Sequence, residues 1–161
     1  MAKRAAQGTP ATLLLTRERI PFTTHAYEVD PKTPAYGEAV AAALGQDPAR
    51  VFKTLVATVD GRLGVGIVPV ASSLDLKALA AALGGKRGAM AEPAAAERAT
   101  GYVTGGISPL GQRTRLPIVL DESALTHETI FVSAGRRGLQ VELSPTDLVN
   151  LTAAAVARIA A

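Results

Sequence analysis

VFKTLVATVDGRLGVGIVPV, residues 51–70, decides the fold class of this chain. Two runs rich in β-branched and aliphatic residues flank the dipeptide Asp60-Gly61. Such a dipeptide between two runs of this kind is typical of a tight turn that joins antiparallel strands. The stretch therefore predicts a β-hairpin near the middle of the chain.

A lysine interrupts the first run of this hairpin. Because side chains alternate between the faces of a strand, Lys53 shares its face with Val51, Leu55, Ala57 and Val59. A lysine among aliphatic residues is costly to bury unless its ammonium meets an anion or faces a cleft. A lysine at a sheet edge can instead reach solvent on its flexible stem. The residues alone leave both interpretations open.

Helical and strand patterns alternate irregularly around the hairpin. The predicted helices are 10–19 with Thr9 as N-cap, 38–44 ending at Gly45, 72–85 with a serine cap and a glycine stop, 92–101 with Pro93 in its first turn, and a C-terminal helix after Ser144-Pro145 that carries Leu148, Leu151 and Val156. The other predicted strands are 24–29, 117–121, 129–133 and 139–143. This order, without a regular βαβ repeat, predicts an α+β fold.

Composition limits the class of protein. The 161 residues suit one domain, 1–161, and 48% of them are apolar with no tryptophan, which predicts an aliphatic core. The absence of cysteine excludes disulfides, thiolate metal sites and a cysteine nucleophile, and fits a cytosolic protein. No apolar run is long enough to span a bilayer, and residues 1–20 lack the apolar stretch of a signal peptide.

The formal net charge is only +3, but several basic residues stand beside glycines. They are Lys86-Arg87, Arg113 with Arg115, and Arg136-Arg137. If the fold gathers them, they form a face that attracts phosphate groups. Scattered charge that keeps the protein soluble is the alternative.

A second unusual segment is GYVTGGISPLGQ, residues 101–112, with four glycines and one proline. Glycines let backbone amides approach a ligand and point at it together, so such a loop can hold a phosphate or a carbonyl oxygen that gains charge. The segment lacks the GK[ST] ending of a Walker loop and the GxGxxG dinucleotide fingerprint. A structural turn between a helix and a strand is the competing interpretation.

The sequence offers no obvious nucleophile with its base. Ser108 and Ser133 lie in glycine-rich contexts, but neither stands in a GxSxG motif. Only His25 and His127 are present, in no triad context and too far apart to predict a metal site. A lysine with many backbone amides suits binding and polarising an ester more than attacking one.

Several segments together resemble the YbaK/EbsC family of aminoacyl-tRNA deacylases, which is related to the editing domain of bacterial prolyl-tRNA synthetases. They are HAYEVD (25–30), VFKTLV (51–56), VPVASSLDLKALAAALG (68–84), TGYVTGGISPLGQ (100–112), RLPIVLD (115–121) and IFVSAGRRGLQVEL (130–143). The resemblance covers nearly the whole chain and is greater to cysteine-specific than to alanine-specific members. It implies a mixed, barrel-like β-sheet flanked by helices. It also implies hydrolysis in trans of Cys-tRNA(Pro), and possibly of Cys-tRNA(Cys), because prolyl-tRNA synthetase activates cysteine by mistake and binding discriminates poorly between near-isosteres.

The resemblance assigns catalytic roles residue by residue. Lys53 matches the family's required lysine, which holds the terminal phosphate or polarises the substrate end. Gly105 and Gly106, followed by Ile107 and Ser108, match the loop whose amides grip the aminoacyl-adenosine. On this basis the amides of the two glycines are expected to stabilise the oxyanion.

Four further residues are assigned to substrate binding. Tyr27 matches a family tyrosine, Tyr36 stands where an aromatic ring can stack on the adenine, and Ser133 matches the serine of a VSGG-like loop. Gln140 occupies a position where family members often carry aspartate. Glutamine forms hydrogen bonds but cannot act as a base, so this residue would orient the substrate or alter rate or specificity.

The family mechanism needs no nucleophile from the enzyme, because the thiol of the substrate is thought to attack its own ester and form a cyclic thiolactone. No cofactor is expected. The expected partners are aminoacyl-tRNA and, transiently, prolyl-tRNA synthetase, with neither membrane nor DNA, in the cytoplasm. The alternatives are another mischarged tRNA such as Ala-tRNA(Pro) as substrate, or a non-catalytic module that binds tRNA or the synthetase.

Overall fold

The predicted hairpin forms the centre of the larger of two β-sheets in the computed structural model, which describes residues 8–161. Asp60 and Gly61 both have positive φ, 50° and 81°, as the tightest hairpin turns require. Residues 1–7 lie outside the described residues. They belong to the segment from which the sequence predicts that a signal peptide is absent. Within residues 8–161 no helix is both long and apolar enough to cross a membrane.

The elements alternate as the sequence predicts. In chain order they are α1 (Pro10–Arg17), β1 (Thr23–Ala26), α2 (Tyr36–Leu44), β2 (Phe52–Val59), β3 (Arg62–Pro69), α3 (Leu76–Ala82), β4 (Gly88–Met90), α4 (Pro93–Thr100), β5 (Ile118–Asp121), a 3-10 helix (Glu122–Thr126), β6 (Ile130–Arg136), β7 (Leu139–Leu143), α5 (Pro145–Thr152) and β8 (Ala155–Ala157). The predicted α+β class is confirmed.

The strands form two sheets. One sheet is mixed, with the order β4-β2-β3-β5-β8, and the other is antiparallel, with the order β1-β7-β6. An isolated parallel bridge between Val51 and Phe131 links them, and the Phe131 amide donates to the Arg50 carbonyl at 3.1 Å. Neither sheet closes on itself within residues 8–161, so the barrel-like closure that the resemblance implied is not supported.

The core is aliphatic, as the composition predicts. Its largest cluster draws buried residues from both sheets and from α1, among them Leu15, Phe52, Ile67, Ile130 and Leu139. A second cluster lies on the other face of the hairpin, where α3 packs on β2 and β3. The two clusters fix the hairpin on both faces, so the strand that carries Lys53 is held rigidly.

Several details differ from the predictions, and one is that β1 ends at Ala26 and does not continue to residue 29. The N-cap of α3 is Asp75, whose Oδ1 accepts from the Ala78 amide at 3.0 Å, because the aspartate and not a serine directly precedes the helix. The C-terminal helix ends at Thr152, and Val156 lies instead on β8, opposite Leu120 of β5. The short strands β4 and β8 were not predicted. The Thr9 cap of α1 is confirmed as a capping box.

Candidate active site

A cavity of about 330 Å³ lies beside the first half of β2. Seven of the nine predicted site residues line it: Tyr27, Tyr36, Lys53, Gly105, Ile107, Ser133 and Gln140. Gly106 and Ser108 are not among the lining residues. The remaining wall is mostly apolar and comes from β2, α2, α4 and the strand β4 that the sequence did not predict.

The cavity exists because β4 leaves the sheet early. β4 pairs only with the last part of β2, residues 57–59, and its final hydrogen bond runs from the Ala91 amide to the Val56 carbonyl at 3.1 Å. Pro93 then begins α4. The Val70 amide donates to the Val51 carbonyl at 2.8 Å, and bonds alternate along an antiparallel ladder. The amide and carbonyl of Thr54 therefore point toward the edge that β4 leaves open.

Lys53 lines this cavity with a half-buried side chain. Its ammonium has no hydrogen bond or ion pair to any residue within 8–161. Burial lowers the pKa of Lys53, and the nearby charge of Glu38 partly opposes that effect. Of the two interpretations left open by the sequence, the structure supports a lysine that faces a cleft.

Two of the residues that line the cavity each carry a buried oxygen that has no hydrogen-bond partner within residues 8–161. These oxygens are Thr54 Oγ1 and Gln140 Oε1. Gln140 is only 6% exposed, and it lies directly opposite Ser133 in the ladder between β6 and β7. A buried polar atom without a partner costs about 1–3 kcal/mol, and such atoms are rare in folded proteins. Neither oxygen is open to a water molecule, so a ligand in the cavity that donates hydrogen bonds would reach either one only after a small movement of its side chain.

Two tyrosine hydroxyls meet at the cavity wall. Tyr27 Oη and Tyr36 Oη are 3.3 Å apart. Burial raises the pKa of Tyr36 above its usual value, and the hydrogen bond to Tyr27 adds to the rise. The Tyr36 hydroxyl therefore keeps its proton at neutral pH and remains a hydrogen-bond donor.

In the glycine-rich loop between α4 and β5, some residues fix the shape of the loop and others have backbone amides without a partner. The Gly106 amide donates to the Val103 carbonyl at 2.9 Å, and a Cβ on Gly106 would lie 2.8 Å from the carbonyl carbon of Arg136. Ser108 is fully buried, and its Oγ accepts from the Leu110 amide at 3.2 Å. Gly106 and Ser108 therefore shape the loop. The amides of Gly105 and Ile107 have no hydrogen-bond partner within the described chain.

Three side chains that the sequence did not single out as site residues hold this loop. Tyr102 Oη donates to the Leu110 carbonyl at 2.6 Å. Glu97 Oε2 accepts from the Thr104 amide at 2.8 Å, and Arg137 Nε donates to the Thr104 carbonyl at 2.9 Å. The first contact lies within the loop and the second joins it to the end of α4, whereas the Arg137 contact comes from the distant turn between β6 and β7, where local sequence gives no sign of it.

No histidine lines the cavity. His25 Nε2 is 3.0 Å from Glu142 Oε1. Ser133 Oγ, which does line the cavity, accepts from the Gly135 amide at 3.2 Å. Over residues 8–161 no group of three or more His, Asp or Glu side chains is placed to hold a metal ion. The polar groups of the residues that line the cavity are thus one ammonium, several hydroxyl groups, one carboxamide and backbone groups.

Comparison with known proteins tests the family resemblance. Residues 30–151 match the family model of the aminoacyl-tRNA editing domain. The chain is 38% identical over 152 residues to the "Putative Cys-tRNA(Pro)/Cys-tRNA(Cys) deacylase EbsC" of Enterococcus faecalis, covering 93% of this chain and 92% of that protein. It is 31% identical over 157 residues to the "Multifunctional Ser/Thr-tRNA deacylase ProXp-y" of Escherichia coli K12, covering 94% and 91% of the two chains.

A solved structure described as "a putative trans-editing enzyme for prolyl tRNA synthetase" superimposes with a TM-score of 0.82 at 25% identity, covering 94% of this chain and 95% of that one. The family resemblance expected from the sequence is thereby confirmed. With the lysine, the glycine-rich loop and the cavity in one place, this chain belongs to the aminoacyl-tRNA editing domain family.

Proposed function

We propose that this protein is an aminoacyl-tRNA deacylase that cleaves the ester at the 3′ end of Cys-tRNA(Pro), with Cys-tRNA(Cys) as a further candidate substrate. One observation supports the proposal above the others: Lys53, whose ammonium has no partner within residues 8–161, lines the same cavity as Thr54 and Gln140, two residues that each bury an oxygen without a hydrogen bond. Such a cavity suits a small amino acid whose ammonium or side chain donates hydrogen bonds. In this proposal residues 1–161 act as one editing domain.

Each wall of the cavity has a separate task in this proposal. Lys53 attracts the negative charge of the terminal nucleotide or of the developing oxyanion. The free amides of Gly105 and Ile107, and that of Thr54 at the open strand edge, are the available donors for the ester oxygen. The Gly106 amide could donate to the substrate only if its bond to the Val103 carbonyl were broken. The paired hydroxyls of Tyr27 and Tyr36 border the space for the adenosine.

The chemical step uses the substrate's own sulfur. The cysteinyl sulfur attacks the carbonyl carbon of its ester and forms an S–C bond in a four-membered thiolactone. The bond between that carbon and the tRNA 3′ oxygen breaks, and the thiol proton ends on the released hydroxyl, so atoms and charge balance. The protein contributes by holding the aminoacyl group bent and by stabilising the oxyanion, which requires no protein nucleophile.

A second candidate substrate class is serine and threonine esters. The Escherichia coli relative is named a Ser/Thr-tRNA deacylase, and a substrate hydroxyl could bond to the unpaired carboxamide oxygen of Gln140 as a thiol would. In that case water cleaves the ester and the product is the free amino acid. Alanine fits less well, because a methyl group leaves a buried polar atom without a partner, and sites built for hydrogen bonds reject such analogues strongly.

The place of action follows from the substrate. Charged tRNA is found where translation occurs, so the proposed location is the cytoplasm. Prolyl-tRNA synthetase is the proposed transient partner, because it would supply the selectivity for tRNA(Pro).

A panel of charged tRNAs tests the proposal. Cys-tRNA(Pro), Ser-tRNA, Thr-tRNA and Ala-tRNA(Pro) are incubated with the protein, with and without the synthetase, and the products are identified. Thiolactone from the cysteine ester supports the cyclisation, whereas free cysteine formed directly would replace it by hydrolysis. Turnover of serine or threonine esters but not of cysteine esters would favour the second candidate. Failure to cleave any ester would refute the deacylase assignment.

A further inference from the structure

The fold places three of the arginines noted in the sequence around loop 101–106, of which Thr104 and Gly105 line the cavity. A Cβ on Gly105 would lie 2.9 Å from Arg137 Nε, and one on Gly101 would lie 3.5 Å from Arg113 Nε. The backbone of Arg136 packs on Gly106 of the same loop. By contrast, Lys86 and Arg87 lie at the tip of the hairpin, where their amides bind Asp60.

Arg137 is the best placed of the three. Its Nε donates to the Thr104 carbonyl, and Thr104 itself lines the cavity. Its charge also acts on Tyr36 across the opening, where it partly offsets the rise in the pKa of that hydroxyl. Arg137 is therefore bonded to one cavity-lining residue and close enough to a second for its charge to be felt there.

Most of the Arg137 guanidinium is free. An arginine has five N–H donors, and within residues 8–161 only the Nε–H of Arg137 is engaged. The side chains of Arg113, Arg136 and Arg137 are all exposed. Glu97, an acidic residue that binds this loop, already accepts two hydrogen bonds from Thr104. Around this loop, three exposed arginines thus stand against one carboxylate that is already engaged.

We propose that Arg137, with Arg136 and Arg113 around loop 101–106, binds the phosphodiester backbone of the RNA strand that enters the cavity. This inference rests on the proposed function, since it takes a charged RNA end as the ligand. A cavity of about 330 Å³ has room for the terminal aminoacyl nucleoside and not for the strand behind it. The phosphates that precede the terminal nucleoside must therefore lie at the mouth, where planar guanidinium groups bind phosphate oxygens in pairs.

Salt-dependent binding provides the test. An uncharged RNA minihelix with a single-stranded 3′ end is labelled, and its affinity is measured by fluorescence anisotropy at several salt concentrations. Arg113→Ala, Arg136→Ala and Arg137→Gln should each weaken binding by about threefold to tenfold and reduce the slope of log K against log salt by about 0.7. Arg158→Ala is the matched control, because Arg158 is an exposed arginine just after β8, the far edge strand of the larger sheet. Equal slopes for these three variants and the control would overturn the inference.

Two further arms separate charge from loop shape and from catalysis. Arg137→Lys keeps the charge but not the guanidinium geometry, so it should retain the slope of the wild type; a loss as large as that of Arg137→Gln would mean that Arg137 only shapes the loop. On charged tRNA, Arg136→Ala and Arg113→Ala should raise KM and leave kcat unchanged, with no effect on a phosphate-free aminoacyl-adenosine. If the wild type deacylates neither substrate, the proposed function fails, and the minihelix slopes still decide the binding surface.

Discussion

Gln140 on β7 lies directly opposite Ser133 on β6, and both side chains line the cavity. Ser133 Oγ already accepts a hydrogen bond from the Gly135 amide, whereas Gln140 Oε1 is buried without any partner within the described chain. A fold that leaves a buried acceptor unpaired loses stability unless a ligand supplies the missing donor. A substitution at Gln140 therefore allows the effect on folding stability and the effect on activity to be measured separately.

Gln140→Leu should stabilise the protein while it impairs the reaction. Replacing the unpaired carboxamide by an apolar group of similar size removes a desolvation cost, so the free energy of unfolding should stay equal or rise by up to about 2 kcal/mol. At the same time kcat/KM for the preferred ester should fall about tenfold or more. Urea unfolding and single-turnover deacylation measure the two effects. A destabilised variant with full activity would show that Gln140 is a structural residue.

Thr54→Val should behave in the same manner because Thr54 Oγ1 is the other unpaired buried atom of the cavity. We expect little change in stability and a loss of about fivefold to twentyfold in kcat/KM, since the valine has the shape of threonine without its hydroxyl. Thr58→Val is the matched control on the same face of β2, where the strand is already paired with β4. Equal activity of the two variants would remove Thr54 from the site.

Gly106→Ala should perturb the loop through a steric clash. The new Cβ would meet backbone atoms of Arg136 and Arg137 at 2.8 Å, which predicts a loss of about 1–3 kcal/mol in unfolding free energy and a lower deacylation rate. Gly45→Ala is the comparison, because its φ of 67° is strained for alanine but no atom lies within 4 Å of the added Cβ. It should cost about 1–2 kcal/mol without loss of activity in the folded protein. Full activity of Gly106→Ala would exclude a role for the shape of the loop.

Tyr102→Phe should change how stability depends on pH. Burial raises the pKa of Tyr102 from 10.0 to about 12, so in that interval the unfolded chain has lost a proton that the folded chain still holds. The wild type therefore loses stability as the pH rises from about 10 to 12. Phenylalanine has no such proton, and its variant should be about 1–2 kcal/mol less stable at pH 7 through the lost bond to Leu110. Denaturant unfolding at pH 7 and near pH 12 should show that the difference in unfolding free energy between the two proteins closes at the higher pH. A constant difference would contradict the raised pKa of Tyr102.

Local sequence patterns were sufficient for most of the fold. Asp60-Gly61 has the backbone requirement of a tight hairpin turn, and Thr9 has the side chain that caps a helix, so each acts within a few residues. β4 and β8 are only three residues long and form because partner strands are nearby. The sequence pattern places Val156 in a helix because the parallel pairing of β8 with β5 cannot be seen in a local pattern.

The same limit applies to the site. The alternation of a strand was enough to single out Lys53, and the family resemblance supplied the residues that gather around it. Neither could show that the Gly106 amide is already bonded to Val103, because a glycine motif does not reveal which amides remain free. Thr54 was missed because its importance depends on where β4 leaves the sheet. Sequence thus located the cavity, and tertiary pairing decided which groups inside it are available.

The most direct test of the central claim is the single-turnover deacylation rate of Cys-tRNA(Pro) by wild type, Lys53→Ala and Lys77→Ala. Lys77 is an exposed lysine on α3 that does not line the cavity, so its variant controls for the loss of one positive charge. We predict that Lys53→Ala lowers the rate at least about a hundredfold, as expected when a main electrostatic contact to the transition state is removed, and that Lys77→Ala matches the wild type. Equal rates for all three proteins would contradict the claim that Lys53 and its cavity form the deacylation site.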